Sequence, residues 1–284
     1  MKWINTYILL LCLTASSAFA GSTKRYEFEW KDINTREVVR WEGDTAIVNP
    51  RSSITELDCS IKINNRDIDA AIESFGIPKS WTTFTYTSED DLQKKQVSLQ
   101  KKAARRGIKM SDDMKSYVID YQWVIDQSSR ELRDAAKDIR SIARRKGYRS
   151  RRELVGAFAS FVQSLEYRLP PNNRIDDNGK EIITIGAIMP IEVLTNQWGD
   201  CDSKSMLFAT LVRSIDLTEV VFIVKHEHVF AAVDVIPEPE DQTIRYKGDD
   251  WVLIELTDAW PIGRVPEEHI ECIDQKQFEI VGLH

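Results

Sequence analysis

Hydrophobic and polar positions follow two different periods along this chain. Tyr26, Phe28 and Trp30 alternate with Glu27 and Glu29, which predicts a strand with one buried face. Val38-Val39-Arg40-Trp41 follows after the turn-like Asn34-Thr35, and Ile61 and Ile63 alternate again. Asn65 then caps a short helix, Arg66 to Phe75, stopped by Gly76 with Pro78 beyond. From 88 to about 165 the pattern is helical and highly charged. Its last part, Leu154, Ala157, Phe158, Phe161, Val162 and Leu165, predicts an amphipathic helix that ends at Leu169-Pro170-Pro171. Residues 171–198 read as a long connection, a length that in a compact domain is functional or mobile. Met206, Leu207, Thr210 and Leu211 return to helical spacing, and 225–233 and 251–257 each read as a strand.

Chemistry concentrates in the last third. Gly199-Asp200 is a turn and a cap, so Cys201 falls in the first turn of a helix. Free N–H groups and the positive end of the dipole favour a thiolate there, which predicts a lowered pKa and a nucleophile. Such a thiol needs a base, and the base an orienter. His226 and His228 lie two apart on one expected strand, hence on one face. Glu255 stands in an apolar run, with Asp258 as the alternative orienter just beyond it. Backbone N–H of Cys201 and the side chains of Gln197 or Trp198 are candidate oxyanion donors.

Three motifs in this order resemble the transglutaminase-like superfamily of papain-like cysteine enzymes. They are Gly199-Asp200-Cys201 with Lys204, His228-Val229-Phe230, and Trp251 with Glu255-Leu256-Thr257. The resemblance covers roughly residues 150 to 260. It implies an α+β fold with the cysteine helix packed on an antiparallel sheet from about 218 to 256. It also implies a Cys201–His228–Glu255 triad, with His226 as a rim residue. Glu255 departs from the family's aspartate by one methylene. Tyr167 fits the Tyr-rich segment that precedes the cysteine loop. The implied activity is acyl transfer on peptide or isopeptide amide bonds, by hydrolysis or cross-linking, with a protein or peptide substrate. Two alternatives are a non-catalytic binding or scaffold module on the same fold and a cell-wall amide hydrolase of other ancestry. No cofactor is called for. No metal site is expected either, because no cysteine or carboxylate cluster joins His226 and His228. Asp176-Asp177-Asn178-Gly179 has a calcium-loop flavour but lacks the alternate ligands, so it reads as a turn.

Composition adds a compartment. Lys2, the apolar stretch Ile8 to Leu13 and Ala18-Phe19-Ala20 form a secretory leader cleaved after Ala20, too short to span a bilayer. Leu11 argues against lipid attachment at Cys12. A periplasmic or secreted product with no membrane span is expected. The division is then 1–20 leader, 21–87 β-rich region, 88–150 charged helical segment and 151–284 catalytic domain. The formal charge of −7 excludes a general nucleic-acid role. Of the four cysteines, Cys59, Cys201 and Cys272 remain after cleavage, an odd number that leaves a free thiol. Whether Cys59 and Cys272 bond stays open, as does the oligomeric state. Lysines and arginines cluster over 94–109 and 144–152; they suit an anionic surface or, more simply, solvated helix faces.

Overall fold

The computed structural model describes residues 22–34, 36–42, 45–51, 54–111 and 116–284, with backbone alone over 36–42 and 45–51. The expected leader and the acidic Asp112 and Asp113 lie outside the described residues. β1 (Thr23–Asp32) and β4 (Thr55–Asn64) pair antiparallel over their full length, with the hairpin β2 (Arg36–Glu42) and β3 (Thr45–Arg51) between them. Tyr26, Phe28 and Trp30 are buried from β1, and Leu57, Cys59, Ile61 and Ile63 from β4, the expected period of two. In α1 (Asn65–Ser74) the cap is Asn64, whose side chain accepts from the Arg66 amide at 2.9 Å; the helix starts one residue earlier than its asparagine pair suggested. Gly76, at φ +84°, ends it and leads into β5 (Ile77–Pro78).

The charged segment is not one helical stretch. α2 (Glu89–Ala104) is capped by Arg105, the chain turns at Gly107, at φ +72°, and a short hairpin of β6 (Ile108–Met110) and β7 (Tyr117–Ile119) intervenes. α3 (Tyr121–Arg145) then buries the stripe Val124, Ile125, Leu132, Ala136, Ile139 and Ala143. α4 (Arg151–Gln163) opens with a Ser150–Glu153 capping box. Every residue from Leu154 to Gln163 is buried, so α4 is a central helix rather than an amphipathic one. Several clustered cations are used internally. Arg152 makes a two-point contact to Asp241 at 2.7 Å, and Arg106 donates to the carbonyls of Gly76 and Glu73.

The connection expected over 171–198 is structured too. After β8 (Glu166–Tyr167) come the hairpin β9 (Asn173–Ile175) and β10 (Glu181–Ile183), α5 (Pro190–Asn196) and β11 (Trp198–Gly199). Asp176 Oδ1 accepts from the amides of Asn178 and Lys180, so Asp176–Gly179 is a turn held by its own side chain. α6 (Cys201–Ser214) packs against α3, α4, α5 and the sheet, buried almost all round.

That sheet curls, with five antiparallel strands in the order β14 (Thr243–Tyr246), β15 (Asp249–Ile254), β13 (His228–Val233), β12 (Val220–Lys225), β16 (Phe278–Gly282). The edge strand β16 lies beyond the range expected from sequence. One face, with Phe222, Ala231, Val252 and Ile254, joins the main core. The other, with Ile223, Phe230, Trp251 and Leu253, is covered by α7 (Glu267–Asp274) through Ile270 and Ile273. Both faces are buried, which explains the unbroken apolar runs. The molecule is α+β, and its main core crosses the boundaries expected at 87 and 150. Phe28 and Trp30 of β1 meet Phe161 of α4 edge-on, at 5.2 and 5.1 Å between ring centres. Asn34, just after β1, donates to the Gly156 carbonyl at 3.1 Å and accepts from the Ile262 amide at 2.8 Å, tying the first strand to the segment beyond Glu255.

Candidate active site

Glu255 follows the last residue of β15. That strand lies beside β13 with Ala231 opposite Ile254, so the carboxylate emerges next to the start of the histidine strand. Glu255 Oε2 is 3.0 Å from Nε2 of His228 and 2.9 Å from Nε2 of His269, which comes from α7. Its other oxygen, Oε1, accepts from the amides of Leu256 and Thr257 at 2.9 and 2.8 Å and from the Thr257 hydroxyl at 2.5 Å. Burial alone would raise its pKa; the two imidazoles and Thr257 outweigh burial and hold it well below the usual carboxylate range. The His269 ring lies against His228 at 4.6 Å and stacks on Phe230 at 4.9 Å. The carboxylate therefore serves two histidines, not one.

Asp200 caps α6 by accepting from the Ser203 amide at 3.0 Å, which sets Cys201 in the first turn. The Cys201 thiol donates to Asp202 Oδ2 at 3.6 Å, and the backbone amides of Val229 and Asp202 favour its thiolate. These amides do not make a ready thiolate. Burial first, then the charges of Asp202 and Asp200, push the thiol up to about 12, the reverse of the lowering expected from a helix N-terminus. Two carboxylates and loss of water outweigh the dipole. Asp200 itself is pushed up to about 6 by burial, and Asp202 accepts from the Tyr121 hydroxyl.

Behind the site, Lys204 is fully buried. Its Nζ donates to the carbonyls of Leu165 at 2.9 Å and of Gln163 and Thr257 at 3.4 Å. Burial pulls its pKa down to about 8, against the attraction of Glu255 and Asp258. Gln163 Nε2 donates to the carbonyls of Glu255 at 2.8 Å and Trp260 at 2.7 Å. The cysteine helix, α4 and the loop after β15 are thus fastened by two buried side chains.

The remaining expectations divide. His226 is not on a strand face with His228. It sits with Glu227, at φ +60°, in the tight turn between β12 and β13, and its side chain is 92% exposed. Asp258 accepts from the Ala259 amide at 2.7 Å, while it is Glu255 that holds His228. Gln197 is exposed and left-handed at φ +61°, and Trp198 lies under the Arg168 guanidinium at 5.1 Å. Tyr167 pairs with Gly199 across β8 and β11, beside the cysteine turn. Cys59, Cys201 and Cys272 are all free thiols. A cavity of about 490 Å³ is lined by His226, His228, Glu255, Asp258, Trp260 and His269 among others; Cys201, 5% exposed, is not among its lining residues.

Sequence reasoning missed His269 and gave no role to Lys204 or Gln163. His269 had one available signal: it falls on the apolar face of an eight-residue helix, four before Ile273. With His228 and Glu255 it makes a group of three donors within 4.8 Å of one another, the set that the expectation of no metal site did not foresee. Compared with known proteins, the chain matches no family model and no curated protein.

Proposed function

We propose that this chain is an exported cysteine-dependent acyl transferase with a papain-like core of the transglutaminase type, acting on amide bonds of peptides or proteins. Cys201 is the nucleophile, His228 the general base and acid, and Glu255 the orienter. The observation that carries this reading is the junction at the start of β13. His228 is bonded to Glu255 at 3.0 Å, and the backbone amide of the next residue, Val229, favours the Cys201 thiolate. A helix bearing the cysteine and packed on an antiparallel sheet supports the same reading.

With Nε2–H given to Glu255, the Nδ1 lone pair of His228 is the one left to take a proton. The resting thiol is protonated, so proton transfer to His228 accompanies attack of sulfur on the amide carbon. Glu255 stabilises the imidazolium that forms, and His228 then returns the proton to the leaving amine. Water resolves the thioester to an acid, or an amine resolves it to a new amide. The Cys201 amide, at the helix start, is placed to stabilise the oxyanion.

The test is acylation. Mature protein treated with an activated peptide thioester should gain one acyl group on Cys201 by intact mass and peptide mapping. The same treatment should leave Cys201→Ser unmodified and His228→Ala nearly so. An adduct on Cys59 or Cys272, or equal rates with and without His228, would remove the reading.

A further inference from the structure

We infer that His228, Glu255 and His269 form a binding site for a divalent cation of the zinc class, and that its occupancy switches the thiol chemistry off. The second half rests on the function proposed above; the first does not. Three donors reach this point from three elements: the first residue of β13, the residue after β15, and α7. Both Nε2 atoms converge on one oxygen, Glu255 Oε2, at 3.0 and 2.9 Å, and all three donor atoms lie within 4.8 Å of one another. Three hydrogen bonds to Oε1 fix the carboxylate plane, so Oε2 is pre-aimed. The set is two imidazoles and one carboxylate, which suits zinc and its neighbours; calcium and magnesium favour all-oxygen shells. All three residues line the 490 Å³ cavity, from which water can complete the shell.

A second observation points the same way. With Nε2–H donated to Glu255, His269 Nδ1 is buried and has no hydrogen-bond partner. It lies 3.7 Å from Glu268 Oε1. When Nε2 binds a cation instead, the proton moves to Nδ1 and faces that carboxylate, the outer partner that a metal-bound imidazole commonly has. The cation thus removes a buried unpaired acceptor. The same change disables His228. With Nε2 on the metal, its proton sits on Nδ1, and no lone pair remains to take the proton from Cys201.

The experiment titrates the full mature chain with Zn²⁺ by calorimetry, in a Cys201→Ser background so that the thiol cannot contribute. One equivalent should bind, and His269→Gln should weaken binding at least about tenfold. Glutamine keeps a donor toward Glu255, so this variant preserves the fold better than His269→Ala. His226→Ala should bind as the parent does. Absence of saturable binding, or binding unchanged by His269→Gln, overturns the site. With wild-type protein and Co²⁺, a thiolate charge-transfer band would place the ion on Asp200-Cys201-Asp202 and overturn it as well. Acylation of Cys201 should stop at saturating Zn²⁺ and return with chelator, whereas the rate of His269→Gln, whatever its zinc-free value, should not change when zinc is added. Acylation unchanged or raised by bound zinc overturns the inhibitory role. If metal-free protein is never acylated, the proposed function fails, and the isotherm still decides the site.

Discussion

Two clusters of buried acid meet at the start of β13, and they treat their carboxylates in opposite ways. Glu255 accepts five hydrogen bonds, from His228, His269, Thr257 twice and Leu256, and is driven far below the usual range. Asp200, also almost inaccessible, has its cap bond from Ser203 and a neighbouring charge in Asp202, and is driven up to about 6. Burial pushes both the same way. The number of donors decides the outcome. The Cys201 thiol therefore keeps its proton at neutral pH, while the base's cluster holds a permanent negative charge. Such a split suits a mechanism in which the proton leaves sulfur during attack rather than before it.

The largest expected effect comes from removing the base. His228→Ala should lower acylation of Cys201 by about 10²–10⁴-fold, the usual worth of a positioned general base. Glu255→Gln should approach that loss and flatten the pH dependence, because a neutral amide no longer stabilises the imidazolium. Asp258→Asn should stay near wild type, since that carboxylate accepts from the Ala259 amide while Glu255 holds His228. A larger loss from Asp258→Asn than from Glu255→Gln, in single-turnover rates, would reverse the assignment.

His269 should rank next. His269→Ala removes one donor to Glu255 and a ring stacked on Phe230, which leaves a cavity. A loss of stability of about 1–3 kcal/mol in denaturant unfolding is expected. Acylation should slow about tenfold, with rescue by His269→Gln through its amide donor. Failure of that rescue with stability restored would make His269 a packing residue only.

How much of this was legible depends on range. The alternation of Tyr26, Phe28 and Trp30 and the helix after Asp200 are local patterns, and both appear where sequence placed them. His228 and Glu255 meet because β15 lies beside β13, whereas the Gly248-Asp249 turn region expected to set that pairing joins β14 to β15. His226 was misplaced because two residues of a tight turn look like strand positions when the flanks are apolar. α4 was read as amphipathic because periodicity cannot see a helix surrounded on every side. The thiol's pKa was misread for a different reason. The dipole argument uses the helix alone, whereas burial and Asp202 act through the packed surroundings. His269 was missed because its one local signal, a place on an apolar helix face, says nothing of Glu255, which lies on another element.

A smaller effect sharpens the nucleophile's side. With the Cys201 thiol held at about 12, alkylation by iodoacetamide should keep rising above pH 9 and show no plateau near neutrality. Asp202→Asn removes the larger of the two nearby charges, so the profile should move to lower pH and labelling at pH 8 should quicken severalfold. A plateau below pH 8 in wild type would mean that His228 already holds the proton.

The smallest effect is on stability, and it isolates what Asp200 costs. Its pKa rises from 3.8 unfolded to about 6 folded, so the folded state favours the protonated acid. The stabilisation this gives is full below pH 3.8 and is lost as pH rises through about 6. Above that, the charged carboxylate sits buried with its cap bond and little else. Asp200→Asn keeps an oxygen to accept from the Ser203 amide, and asparagine caps as well as aspartate does. It removes the charge. The variant should therefore unfold at a higher temperature than wild type at pH 8, by the equivalent of about 1–3 kcal/mol. At pH 3.5, where both side chains are neutral, the gap should close. Thermal melts at the two pH values give the answer directly. An equal gap at both would show that the change acts through packing or the cap, and that burial of the Asp200 charge costs the fold nothing.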